Sequence, residues 1–140
     1  ARGKVDRKAL RAAVQALDDN QFLGIAPEGT RSKSGALRQA QPGVALLATM
    51  RSVPVYPMAH WGFLELGRNI ARLRRTDVTF RMGRPFVVRV PEGTKMSSGV
   101  LRQITDEMMY EMARVLPEQR RGIYSDLDGH HPEYLEYLDA

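Results

Sequence analysis

The sequence has no cysteine. That excludes a disulfide framework, a thiolate nucleophile and a cysteine-based metal site together, and is compatible with a reducing compartment. It also lacks an apolar run near the ~18 residues a membrane-spanning helix needs. No secretory leader pattern occurs at Ala1, so a membrane anchor is expected only outside this stretch. No internal repeat, low-complexity tract or interdomain linker divides it. What is present suffices for one domain: 140 residues, 43% of them hydrophobic, enough to bury a core. Acidic residues are too few to balance the basic ones, leaving a formal charge of +5 dominated by arginine. Such a chain suits anionic partners: phosphorylated substrates, coenzyme A or acidic lipid head groups. No RNA- or DNA-binding signature accompanies the charge, so nucleic acid is not an expected partner.

Polar chemistry concentrates after one apolar run. Phe22-Leu23-Gly24-Ile25-Ala26 reads as a buried strand, and Pro27 and Gly29 break it. Glu28, Thr30, Arg31 and Ser32 then gather a carboxylate, two hydroxyls and a guanidinium at the strand's C-terminal end, where open α/β sheets bind ligands. Arg31 offers a planar fork of donors for phosphate or carboxylate. Gly29 lets the backbone approach closely or take a positive φ. The same residues also read as a polar loop with a surface Arg–Glu pair, and Lys33 as a solvated turn residue.

The remaining elements follow from periodicity. Asp6 caps a helix carrying Leu10, Ala13, Val14 and Leu17 at helical spacing. Pro42 suits the first position of a second helix. Val44–Met50 is apolar nearly all round, which predicts burial. Val53–Ala59 reads as a strand made irregular or peripheral by Pro54 and Pro57. His60 and Trp61 at its end are candidates for a pocket wall, or for a packed aromatic pair. Phe63–Leu73 is ambiguous; Arg68, Arg72, Arg74 and Arg75 make it the densest positive stretch, a solvated loop or a rest on an anionic membrane surface. Asp77–Met82 alternates as a half-buried strand, with Val78, Phe80 and Met82 on one face. Gly83-Arg84-Pro85 is a turn and Phe86–Val90 another strand, so a hairpin or adjacent strands are expected. Ser97 or Ser98 opens a long helix with Leu101, Ile104, Met108 or Met109, Met112 and Leu116 inward, stopped by Pro117. After it, Asp126, Asp128, His130 and His131 invite a metal reading that their spacing does not support, so no metal is assigned. Tyr134, Leu135, Tyr137 and Leu138 read as a short docking helix. The predicted class is therefore α/β, a mixed, mostly parallel sheet flanked by helices.

Pro27-Glu28-Gly29-Thr30-Arg31-Ser32 with its basic, glycine-containing turn resembles the third conserved block of the glycerolipid acyltransferases, the lysophosphatidic acid acyltransferase family. Arg2-Gly3 with Val5-Asp6-Arg7 resembles the end of that family's second block, and Val53-Pro54-Val55-Tyr56-Pro57 its fourth. The resemblance implies the same α/β architecture, with 1–117 the C-terminal portion of the domain, incomplete at its N-terminus, and 118–140 a tail. It implies acyl transfer from acyl-coenzyme A or an acyl carrier protein, as co-substrate and without a cofactor, to the hydroxyl of a lysophospholipid. Arg2 and Arg31 would be the phosphate-binding cations, and Glu28 would hold the loop or orient Arg31. Gly29, Thr30 and Ser32 would complete the cradle. It also implies work at the cytoplasmic side of a membrane, peripheral or anchored through a segment outside this chain. The family's first block, His-x-x-x-x-Asp, which supplies the base and its orienting carboxylate, has no match. No catalytic residue is therefore assigned, and this stretch alone is expected to be inactive. It is also expected to need a preceding segment or to self-associate. A degenerate module binding a phosphorylated ligand or protein partner is the alternative.

Overall fold

The computed structural model describes residues 7–29, 32 and 34–139. Arg7–Asp18 forms α1; the Asp6 cap lies outside the described residues. Its apolar stripe is only half-buried, and the helix is held to its neighbour by a fork. Arg51, just past α2 (Gly43–Met50), donates from Nε and Nη2 to both Asp18 oxygens, at 2.6 and 2.9 Å. Pro42 stands one position before α2 with φ −69°, the angle its ring imposes. Ala45, Leu47 and Ala48 of α2 are buried; Met50 is exposed.

Prolines interrupt the next segment. Val55 makes a single antiparallel bridge to Phe86, and only Met58–Trp61 becomes a strand, β1. Gly62 then turns the chain into a 3-10 turn over Phe63–Glu65 and the short helix α3, Leu66–Ala71. β2 (Thr79–Met82) pairs antiparallel with β1, Met58 opposite Met82 and His60 opposite Phe80. β3 (Phe86–Val88) neither forms a hairpin with β2 nor lies beside it, the two arrangements the sequence suggested. The two run on along one edge, β2 facing β1 and Phe86 facing Val55. Between them Gly83 donates its N–H to Pro57 O at 2.8 Å. A Cβ there would lie 2.9 Å from Val115 Cγ1, so glycine lets the strand pass tightly over the long helix.

That helix, α4, spans Ser98–Val115 and is capped by Ser97, whose Oγ accepts from the Val100 N–H at 3.2 Å. It divides the interior in two. On one side Ile104 and Met108 pack with Ala45, Ala48, Phe86, Val88, Tyr134 and Leu135. On the other, Met109, Ala113 and Leu116 pack with Leu37, Ala40, Ala59 and Tyr124. Each fully buried large side chain stabilises by about 1.5–3 kcal/mol.

The C-terminal segment closes both sides. Short 3-10 turns cover Glu118–Arg120 and Gly122–Tyr124. The expected docking helix at Tyr134–Leu138 is instead a strand, β4 (Leu135–Tyr137), antiparallel to β3. Alternation decides it: Leu135 points in and Glu136 out, where Glu136 meets Arg89 at 2.9 Å.

Two expectations are corrected. Among the described residues both sheets are two-stranded and antiparallel, so the mostly parallel sheet is not found; the fold mixes helices with small antiparallel sheets. The Phe22–Ala26 run is neither strand nor buried. No described strand lies beside it to complete a ladder, and an apolar run without one has no sheet to join.

Candidate phosphate-binding site

The loop from Pro27 to Gln41 is closed at its base. Gly29, at φ +66°, donates to Ala26 O at 3.1 Å, and the Gln41 N–H donates to Pro27 O at 2.9 Å. Within the loop the Ser32 hydroxyl donates to Ala36 O at 2.8 Å and lies 3.1 Å from Ser34 Oγ. It ties a local turn. Glu28, Gly29 and Ser32 thus share one loop. Arg2, Thr30, Arg31 and Lys33 lie outside the described residues.

Glu28 is the loop's unusual group. Its Oε2 is buried without a hydrogen-bond partner among the described residues. Burial raises its pKa, opposed by the backbone N–H and charge of Arg38. A buried carboxylate oxygen left open is a receptor for a donor, a guanidinium or a hydroxyl. It repels a phosphate by itself, so an anion could be held on this loop only with cations beside it.

The rest of the loop is held by elements far along the chain. The Leu37 N–H donates to Arg120 O at 2.9 Å, and Arg120 Nη1 to Gly35 O at 3.4 Å. Gly122 sits at φ +56° so close that a Cβ would fall 1.9 Å from Leu37 O. Arg102 on α4 donates to Ala40 O at 2.6 Å and reaches Asp106 at 3.5 Å. Asp106 also accepts from the Tyr124 hydroxyl at 2.9 Å. Burial first, then that bond, pushes the Tyr124 pKa up. Of these holding residues the sequence pattern identified none. The i,i+4 spacing of Arg102 and Asp106 is a readable signal; Arg38, Arg120, Gly122 and Tyr124 carry none.

Two other candidates resolve differently. His60 and Trp61 do not line the cleft beside α4. The His60 ring packs edge-on to Phe63 at 5.1 Å on an exposed face, and Arg81 lies over Trp61 at 5.2 Å. In the C-terminal segment His130 stacks on Tyr110 at 3.9 Å. It borders an open cleft of about 530 Å³ with Arg102, Gln103, Asp106 and Glu107. Burial lowers its pKa. Among the described residues no group of three or more acidic or histidine side chains is placed to hold a metal.

An acyltransferase family model matches residues 1–61, a span that includes both the Pro27–Ser32 loop and β1. A 1-acyl-sn-glycerol-3-phosphate acyltransferase from Cocos nucifera is 28% identical over 132 residues, 87% of this chain. The chain spans 41% of that relative's length. No solved structure matches. Both matches are to acyltransferases.

Proposed function

We propose, with that acyltransferase family as the premise, that this chain supplies the acceptor side of an acyl transfer. An acyl group would pass from a thioester, acyl-coenzyme A or acyl carrier protein, to the hydroxyl of a lysophospholipid such as 1-acylglycerol-3-phosphate. The observation that carries the reading is the loop after Pro27. It lies inside the family match, is tied at both ends, and holds one buried acceptor, Glu28 Oε2, that has no partner among the described residues. Arg31 is the donor proposed for that acceptor, leaving the rest of its fork for the phosphate; Arg2 would be the second cation. A phosphate so seated fixes the acceptor hydroxyl for attack, and positioning of this kind lowers a barrier by several kcal/mol.

The experiment is acyl transfer to 1-acylglycerol-3-phosphate by the protein as it occurs, with Arg31→Ala and Arg31→Lys. One charge-assisted phosphate contact is worth on the order of 1.5–3 kcal/mol. Arg31→Ala should therefore lower kcat/KM roughly ten- to a hundredfold, with partial recovery in Arg31→Lys. An unchanged kcat/KM would remove Arg31 from the site. Retained binding of the acceptor with no transfer would favour a binding module.

A further inference from the structure

The β1–β2 sheet has two unlike faces. Directly opposed residues share a face, so Met58, Met82, His60 and Phe80 stand together. Ala59, on the other face, is buried against α4. The first face is therefore outward, and Met58, Phe80 and Met82 are each more than half exposed. Phe63 extends it, packing on His60 and, at 5.9 Å, on Phe80.

In the segment that links β1 to β2, α3 ends in a Schellman motif. The Leu73 N–H donates to Ile70 O at 3.1 Å and the Arg74 N–H to Asn69 O at 2.8 Å. The residue at the turn of that motif is ordinarily glycine, because its backbone is left-handed. Here it is Leu73, at φ +51° and 98% exposed. A leucine there is strained relative to glycine and covers nothing in the chain. The tip is nevertheless fixed: Asn69 Nδ2 donates to Thr76 Oγ1 at 3.1 Å.

Charge says what the face meets. Between 63 and 77 four arginines (68, 72, 74 and 75) stand against Glu65 and Asp77, a local excess of +2, while Arg81, opposite Ala59, lies on the sheet's other face. Arg68 pairs with Glu65, Arg81 covers Trp61 and Arg84 covers Tyr137. Arg72, Arg74 and Arg75 have no acidic partner among the described residues. A second copy would bring like charge to like charge. Anionic head groups over an apolar interior satisfy the arginines and the leucine together.

We infer that the Leu73 tip and the outer β1–β2 face dock on an anionic lipid bilayer, Leu73 entering between Arg72, Arg74 and Arg75. This stands independently of acyl transfer. The test is co-sedimentation of the chain with vesicles of phosphatidylcholine alone and of an equal mixture with phosphatidylserine. Binding should require the anionic lipid and fall as salt rises. Leu73→Gly should weaken partition about tenfold while keeping or raising the melting temperature, because glycine relieves the strained backbone. Replacing Arg72, Arg74 and Arg75 by Gln should cost about fivefold per arginine. The inference is overturned by equal binding to neutral vesicles, by unchanged binding of Leu73→Gly, or by a lowered melting temperature in that variant. A dimer in light scattering that Leu73→Gly abolishes, without vesicle binding, would assign the face to a second copy instead.

Discussion

Residues 22–26 and 134–137 exchange the places their compositions suggest. The first is nearly all apolar, yet Phe22 is 100% exposed. The second sits in the stretch that reads as least globular, yet Tyr134 is only 7% exposed and Leu135 is buried. The difference lies in hydrogen-bonding partners. Residues 134–137 have β3 on one side and two buried acids of α4 on the other. Glu107, 1% exposed, accepts the Tyr134 N–H at 2.9 Å, and Glu111 accepts the Tyr137 hydroxyl at 2.8 Å. Both acids have a second donor, Gln103 and Arg114 respectively, so their burial is compensated. Hydrophobicity supplies the drive to burial; a satisfied backbone decides which segment achieves it.

The sharpest way to break this comparison is to exchange its aromatic anchors. Tyr134→Ala removes a core ring and should destabilise by about 3–5 kcal/mol, whereas Phe22→Ser should stay within about 0.5 kcal/mol. Denaturant midpoints of the two variants measure both, and a larger loss at Phe22 would reverse the assignment of the core. A smaller effect is expected where the C-terminal segment grips the loop. Gly122→Ala puts a Cβ against Leu37 O in left-handed backbone and should cost about 2–4 kcal/mol. Faster amide exchange at Leu37, whose N–H bonds to Arg120 O, would show the loop released. The smallest effect is in pH. Burial, then the bond to Glu111, pushes the Tyr137 pKa from 10.0 up to about 12. The folded state thus keeps this proton where the unfolded chain loses it. Its stabilisation is whole below pH 10.0 and is lost as pH rises toward about 12. Tyr137→Phe should flatten part of that alkaline decline in unfolding free energy. The similarly raised Tyr124 keeps the rest.

Local pattern alone determined α1, the α2 helix after Pro42, a start of α4 at Ser97 or Ser98 and the inward side of α4. Helical spacing and capping act within a few residues and need no partner. The same holds for the turn at Gly29, whereas Pro27 follows no strand and of the strand read over Val53–Ala59 only the bridge at Val55 and the start of β1 form. Only tertiary structure decided that β2 turns Phe80 and Met82 outward, because alternation gives two faces and not which one meets α4. It also decided that β2 and β3 continue one edge, and that Tyr134–Leu138 is extended. Those outcomes depend on Gly83 passing close to Val115 and on acids at 107 and 111 waiting for donors more than twenty residues away. The turn at Gly29 was legible in the sequence. The loop's support by Arg102, Arg120 and Gly122 was not, because a contact across more than sixty residues leaves no local periodicity to read.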